Sequence, residues 1–383
     1  MIRRRAFFLS ASLAAVLLAA APAVYSQAAA TPKQAVTTAS AAASKPAPRL
    51  TDQELWKLAT DYSEPDGTFH SENLVSNEAR FQTVLPALDK SAVPGRAYVG
   101  VGSEQNFTYI VATRPVMVFI VDIRRGNLLL HLTYKALFEL SADRADFVSR
   151  LFSRPRPAGL TTTSTPAAIF AAYEAAKPSQ ALYDQNLKAI KAQLTTRHGF
   201  ALSAGDLEGL DFVYSSWFDG GPDLRYQLTT GGGGRGGRRG GGGPGGLPTY
   251  ADLMTADDGA GHLRSYLATE ENFTFMKDLE TRNMLVPVVG NFGGPKALRS
   301  VASYLEEKGL VVSTFYASNV EQYLRQDNIW DNFCASASTM PLDAKSMLIR
   351  SERGGFAGST VGGGGFASQV MPLKPELALC AGK

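Results

Sequence analysis

An unbroken apolar run at positions 116–121, which ends in the carboxylate of Asp122, constrains the fold of this 383-residue chain more than any other feature. A strand with one solvent face alternates apolar and polar residues, whereas a strand covered on both faces is apolar throughout and is typical of parallel sheets. A strand pattern at 96–102 and a helical pattern at 105–113 precede the run, and a helical pattern at 127–152 follows it. The N-terminal block therefore predicts the order strand, helix, strand, helix.

The same alternation recurs towards the C-terminus. Strand patterns occupy 284–290, 310–316 and 346–350, and a helical pattern at 295–309 lies between the first two. Pro287 favours an edge position for the first of these strands, or a place near the beginning of the strand, because proline donates no hydrogen bond to a sheet. Alternating strands and helices in both blocks predict an α/β fold with one doubly wound, mostly parallel sheet.

The first 26 residues have the parts of an export signal. Arginines precede a long apolar run, and small residues end the segment at Ser26. We predict a signal peptide over 1–26, with an uncleaved membrane anchor as the alternative, and a flexible spacer over 27–49. Arg4 and Arg5 resemble a twin-arginine signal, and the predicted location is exported, either periplasmic or secreted.

The composition argues against several classes of function. The chain has 38 basic and 35 acidic residues, and removal of the predicted signal takes away three arginines, so the mature protein carries no net charge. We therefore expect no nucleic-acid partner and no membrane contact beyond the signal segment. The four histidines and two cysteines form no metal-binding motif, so no metal is expected. The sequence leaves open whether Cys334 and Cys380 form a disulfide.

A variable insert at about 158–250 separates the two blocks, and its glycine-rich part, 231–246, also contains three arginines. Such a tract is too rich in glycine to pack into a core. We interpret it as a flexible surface insert, with an RNA-binding segment of Arg-Gly steps as the alternative. The prediction is a single α/β domain over 50–352 that contains this insert, followed by a glycine-rich C-terminal tail over 353–383.

Ligands of doubly wound sheets bind beyond the carboxyl ends of the strands, so the residues that follow each predicted strand are the candidate site. Glycines there let backbone N–H groups approach a ligand, and a carboxylate after the second strand is placed to accept hydrogen bonds from ribose hydroxyls. Both features are present and indicate an adenosine-type ligand, although a glycine turn that serves only packing is the alternative. The candidate cofactor-binding residues are Gly100, Gly102, Glu104, Asn106, Asp122 and Arg124.

Three segments carry a resemblance to a known family. They are AYVGVGSEQNFTYI, VFIVDIRRGNLLLHLTYKALFELSADRADFVSRLFSRPRP, and a third that begins VVGNFGGPKALRSVASYLEEKG and ends FYASNVEQYL. They resemble an uncharacterised family of exported bacterial proteins whose core is similar to class I S-adenosylmethionine-dependent methyltransferases. The resemblance implies a Rossmann-like, methyltransferase-like fold. It also implies that Gly100 and Gly102 line the methionine side of S-adenosylmethionine, that Asp122 holds the ribose, and that Asn291 and Phe292 face the substrate.

The glycine motif departs from the methyltransferase pattern in two places. Ala97 and Tyr98 stand where an acidic residue is usual, and Glu104 occupies the place of a third glycine. A carboxylate beside the carboxylate of the cofactor would need a proton or a cationic partner. Arg124 or Arg125 is the candidate partner.

Two functions from different classes therefore remain open. One is a methyltransferase-like enzyme that binds a nucleoside-containing cofactor, and the other is a non-catalytic periplasmic binding or interaction protein built on an altered scaffold. Export bears on the choice, because S-adenosylmethionine is a cytoplasmic metabolite. No catalytic residue is assigned. The substrate-side candidates, which would contact a small polar ligand, are Asn291, Phe292, Ser318, Asn319 and Glu321.

Overall fold

The computed structural model of the protein describes residues 48–226, 247–353, 366–378 and 380. The signal peptide predicted over 1–26, nearly all of the predicted spacer and the glycine tract at 231–246 lie outside the described residues. Within the described part of the chain, no helix has both the length and the apolar character needed to span a membrane.

The described residues form a six-stranded sheet with the strand order β3-β2-β1-β4-β5-β6. Neighbouring strands are parallel except for β6, which runs antiparallel to β5. The predicted α/β fold with a mostly parallel sheet is confirmed, and it is consistent with a Rossmann-like core. The strands are β1 (Ala97–Gly100), β2 (Met117–Asp122), β3 (Leu285–Val289), β4 (Val312–Ser318), β5 (Met347–Arg353) and β6 (Phe366–Pro372).

Helices connect the strands and pack against the sheet. Three of them, α6 to α8, lie in the described part of the predicted insert. The helices are α1 (Asp52–Asp61), α2 (Leu85–Ser91), α3 (Gln105–Thr113), α4 (Arg125–Leu140), α5 (Arg144–Phe152), α6 (Pro166–Ala175), α7 (Gln180–Ala192), α8 (Ala204–Gly220), α9 (Tyr250–Thr255), α10 (Glu270–Thr281), α11 (Ala297–Glu307), α12 (Val320–Gln326), α13 (Trp330–Ala337) and α14 (Leu373–Ala378).

The single helix predicted over 127–152 is in fact two helices, α4 and α5. The chain leaves the helical conformation at Ser141, which is extended, and restarts at Asp143. The Asp143 carboxylate accepts a hydrogen bond from the backbone N–H of Asp146 at 2.8 Å, as expected for a residue that caps a new helix. The apolar periodicity continues across the break, and this is why it was not visible in the pattern.

The segment predicted as a glycine-rich C-terminal tail over 353–383 contributes a strand and a helix among its described residues. Strand β6 pairs along β5 from Met347 opposite Pro372 to Arg353 opposite Phe366. Helix α14 follows, and a disulfide joins Cys380 to Cys334 in α13. The disulfide closes a loop over a sequence separation of 46 and ties the end of the chain to the domain.

The strand order places a topological switch point beside β1. This strand pairs with β2 on one side and with β4 on the other. Strands β2 and β3 are therefore added on one side of β1, and β4 to β6 on the other. In open α/β sheets this arrangement opens a crevice beyond the carboxyl ends of the strands. Strand β3 lies at an edge, as Pro287 predicts, and its only pairing is with β2 among the described residues.

Candidate functional site

A pocket of about 370 Å³ opens at this switch point. Its floor comes from residues at or just after the ends of four parallel strands, and its outer walls come from the loop before α2, from α12 and from Tyr226. The size is sufficient for a nucleoside or a comparable small molecule. Residues from the four strand ends that line it include Val101, Gly102, Asp122, Asn291, Tyr316 and Ser318.

Gly102 forms the turn between β1 and α3. Its φ of 81° lies in the left-handed region, which favours glycine. Two side chains of α4 hold its carbonyl oxygen: the Asn127 amide donates at 2.8 Å, and Nε2 of His131 lies at 2.9 Å. Burial lowers the pKa of His131 to about 4, so the imidazole is neutral and donates through Nε2. Helix α4 thus fixes the turn that lines the pocket.

Asp122 lies at the carboxyl end of β2 and lines the pocket, although its residue is only 5% exposed. Its Oδ1 accepts a hydrogen bond from the backbone N–H of Arg124 at 3.0 Å, and the Arg124 Nε lies 3.6 Å from the same oxygen. The Arg124 guanidinium in turn donates to the Glu72 carbonyl oxygen at 2.5 Å. Arg124 therefore lies behind the carboxylate and orients it, and does not itself line the pocket.

Gly100, Glu104 and Asn106 lie behind the pocket wall rather than in it. The Asn106 amide donates to the carbonyl oxygens of Val101 at 2.8 Å and Ser103 at 2.7 Å, which braces the glycine turn. A side chain at Gly100 would overlap the Asn106 Oδ1, so glycine is required there for packing. The assignment of these three residues to cofactor binding stays a prediction, and any contribution they make is through the turn.

Glu104 is fully buried, and one of its oxygens accepts a hydrogen bond from the backbone N–H of Ser76 at 3.2 Å. Its other oxygen, Oε2, has no hydrogen-bond partner among the described residues. Burial raises the pKa of Glu104 from 4.5 to about 7. The repulsion expected between this carboxylate and a cofactor carboxylate does not arise in the pocket, because Glu104 does not line it.

The raised pKa makes Glu104 a source of pH-dependent instability. The unfolded chain releases this proton near pH 4.5 and the folded chain near pH 7, so the fold loses stability as the pH rises between these values. The variant Glu104→Gln lacks this titrating group. We expect the free energy of unfolding of the variant, relative to that of the wild type, to be about 2 to 3 kcal/mol higher at pH 8 than at pH 5. Urea unfolding at both pH values measures it, with Glu306→Gln on α11 as the control. An equal effect of Glu104→Gln at the two pH values would contradict the assignment.

The β4 side of the pocket rests on a buried carboxylate, Glu78. Its Oε1 accepts hydrogen bonds from the hydroxyls of Tyr316 at 2.7 Å and Ser318 at 2.6 Å. Its Oε2 accepts from Ser351 at 2.6 Å in β5 and Ser368 at 3.0 Å in β6. One carboxylate thus joins three strands and holds two pocket residues in place.

The other substrate-side candidates lie in three different surroundings. Asn319 lines the pocket, whereas Glu321 faces a separate cavity, where its carboxylate lies 3.5 Å from the Arg350 guanidinium. Asn291 and Phe292 line the pocket beyond β3, at the far side of β2 from Asn319. The structure therefore brings four of the five candidates to the pocket, but on opposite sides of it.

The glycine-rich loop after β3 resembles an anion-binding loop, but a side chain of the protein already fills it. The Glu64 carboxylate accepts hydrogen bonds from the backbone N–H groups of Asn291 at 3.1 Å, Lys296 at 2.8 Å and Ala297 at 2.9 Å. A Cβ at Gly294 would overlap this carboxylate. The donors that a phosphate would need at the start of α11 are therefore engaged within the chain.

Sequence reasoning missed an aromatic group in the outer pocket, formed by Phe69, His70, Tyr226 and Tyr323, which we call the aromatic box. One signal was available for Tyr323. Val320, Tyr323, Leu324 and Asp327 have the spacing of a single helical face, and all four line the pocket. Phe69, His70 and Tyr226 lie in irregular segments, where no periodicity marks them.

The charged side chains that line the pocket are acidic. Asp122 and Asp327 line it, and among the described residues no lysine or arginine does. A ligand with several phosphate groups would therefore meet two carboxylates and no lining lysine or arginine among the described residues, which costs free energy. The described pocket suits a neutral or positively charged ligand that combines ring surfaces with hydroxyl groups.

A family model described as a domain of unknown function (DUF7790) matches residues 73–201 and 245–375. No curated protein matches the sequence significantly. The matched ranges include Gly102, Asp122 and Tyr323, whereas Phe69 and Tyr226 lie outside them. Because the match covers more than half of the chain, the protein belongs to the family defined by this domain of unknown function, DUF7790.

Proposed function

We propose that the pocket binds a nucleoside-containing ligand without phosphate groups, and that S-adenosylmethionine or its demethylated product, S-adenosylhomocysteine, is such a ligand. The observation that carries the proposal is the position of Asp122 beside Gly102 in one pocket at the switch point of the sheet. A carboxylate at the end of the second strand accepts hydrogen bonds from ribose hydroxyls, as it does in dinucleotide-binding sheets.

The remaining lining supports this ligand class. Val101, Ile123 and Leu324 offer apolar surface for a base or an alkyl chain. The sulfonium group of S-adenosylmethionine is a cation, and the acidic lining favours it over the triphosphate of ATP or the pyrophosphate of NAD. In this proposal the protein is methyltransferase-like, with the acceptor on the β4 side near Ser318 and Asn319.

A second candidate function is a binding protein outside the cytoplasm that does not turn over its ligand. The disulfide between Cys334 and Cys380 supports it, because disulfides persist in oxidising compartments. The proposed location is accordingly exported, by the signal peptide predicted over 1–26. In such a compartment S-adenosylmethionine is not resupplied, so a ligand carried out during export would be held and not consumed.

Calorimetric titration of the full chain tests the proposal. We expect micromolar binding of S-adenosylhomocysteine and S-adenosylmethionine, and no binding of ATP or NAD under the same conditions. Mass spectrometry of the purified protein would identify any nucleoside that it retains. Binding of ATP as tight as that of S-adenosylhomocysteine, or binding of neither, would overturn the assignment. Binding with no release of the methyl group to any added acceptor would favour the binding protein.

A further inference from the structure

The side chains of the aromatic box lie close to one another and line the outer part of the pocket. The Phe69 and Tyr323 ring centroids lie 5.2 Å apart with their planes at 82°. The His70 ring lies 4.0 Å from Phe69 and 5.7 Å from Tyr323, and the Tyr226 hydroxyl lies 3.4 Å from the His70 Nε2. All four residues line the pocket, so its outer part presents aromatic side chains.

This surface has the electrostatic character of a site for a cation. The faces of aromatic rings are electronegative and attract ammonium groups within about 6 Å of the ring centroid. Asp327 lies one helical turn after Tyr323 and lines the same pocket, so it adds a full negative charge. An uncharged aromatic ligand would gain stacking from the box but nothing from Asp327.

The neighbouring arginines do not cancel this charge. Burial raises the pKa of Tyr226, and the charge of Arg124 acts in the opposite direction with a smaller effect. The Arg124 guanidinium donates to Glu72, lies beside Asp122 and does not line the pocket. Arg325 belongs to the same helix as Tyr323, but its guanidinium stacks on the Trp330 ring at 3.6 Å and lines the separate cavity. Neither guanidinium therefore lines the pocket beside the box.

We infer that the aromatic box binds the alkylated ammonium group of a second ligand, which lies beside the nucleoside in the same pocket. The inference rests on the proposed function for the part of the pocket that holds the nucleoside. A quaternary ammonium group has no N–H to donate, so ring faces and a nearby carboxylate recognise it better than a set of hydrogen-bond acceptors would. The substrate class of the site is thus an organic cation of the choline type.

The test compares choline with its neutral isostere, in which a tert-butyl group replaces the trimethylammonium group. Both fill the same volume, and the isostere is the more hydrophobic. We expect the full chain to bind choline at least roughly tenfold more tightly than the isostere in calorimetric titrations, because only choline gains the cation–π attraction. Equal binding, or tighter binding of the isostere, would show that the box is only an apolar surface and would overturn the inference.

Two matched variants locate the effect. Tyr323→Leu removes a ring of the box and is expected to abolish the preference for choline, whereas Tyr323→Phe keeps the ring and is expected to retain it. Circular dichroism and the unfolding midpoint show whether each variant is folded. If Tyr323→Leu is folded and still prefers choline, the box is not the site.

Titrations with S-adenosylhomocysteine separate this inference from the proposed function. Choline binding does not require the nucleoside, so loss of S-adenosylhomocysteine binding alone would contradict the proposed function and leave the cation site standing. Binding of both ligands at once is the expected result. If choline is instead displaced by S-adenosylmethionine but not by S-adenosylhomocysteine, the box binds the sulfonium group of the cofactor. That result would exclude a separate ammonium ligand at the box and would overturn the inference.

Discussion

Asp122→Asn is expected to weaken the binding of S-adenosylhomocysteine by roughly 10- to 100-fold, because a hydrogen bond to a charged group contributes about 1.5 to 3 kcal/mol. The asparagine keeps the size of the side chain and an oxygen that can accept from the backbone N–H of Arg124, as Oδ1 of Asp122 does at 3.0 Å. The turn after β2 should therefore persist while the charge that faces the ribose is lost. Calorimetric titration measures the change in affinity.

The control for this variant is Asp61→Asn, at the exposed end of α1, where the carboxylate pairs with Lys57 on the helix surface. It should bind S-adenosylhomocysteine as the wild type does. If Asp122→Asn unfolds at the same urea concentration as the wild type and also binds the nucleoside equally well, then the carboxylate does not contact the ribose and the site assignment fails.

Arg144→Met is expected to destabilise the fold by about 3 to 5 kcal/mol, the cost of breaking a buried ion pair and leaving its partners unpaired. Arg144 is 2% exposed at the start of α5. Its guanidinium pairs with Glu270 at 3.1 Å, and it donates to four carbonyl oxygens at 2.8 to 3.0 Å. The four carbonyl groups belong to Leu267, Ala268, Thr162 and Ser164.

Arg144 thus joins α5 to the start of α10 and to the loop before α6, and methionine can fill its volume but satisfies none of these acceptors. Urea unfolding followed by tryptophan fluorescence measures the free energy. Arg150→Met on the same helix is the control, since Arg150 forms a partly exposed pair with Asp146 and should cost less than about 1 kcal/mol. Similar costs for the two variants would show that the buried network does not stabilise the domain.

The predicted elements that the structure confirms are those with a strong local pattern. Strand β2 and helix α3 have the predicted positions. A continuous apolar run favours a strand that is covered on both faces, and a helical pattern after a glycine turn favours a helix. The break at Asp143 and strand β6 were not predicted. The cap at Asp143 interrupts an apolar periodicity that continues through it, and β6 depends on β5, which lies beyond a glycine-rich tract.

The candidate site divides in the same way. The sequence by itself determined that Asp122 ends a buried strand and that Gly102 follows another, because both facts depend on residues next to each other in the chain. Only the tertiary structure decided what surrounds them: Glu78 joins β4, β5 and β6, and Tyr226 meets His70 across a sequence separation of 156. Contacts of that range leave no periodicity in the sequence, since they depend on the strand order of the sheet and on loops that meet only once it has formed.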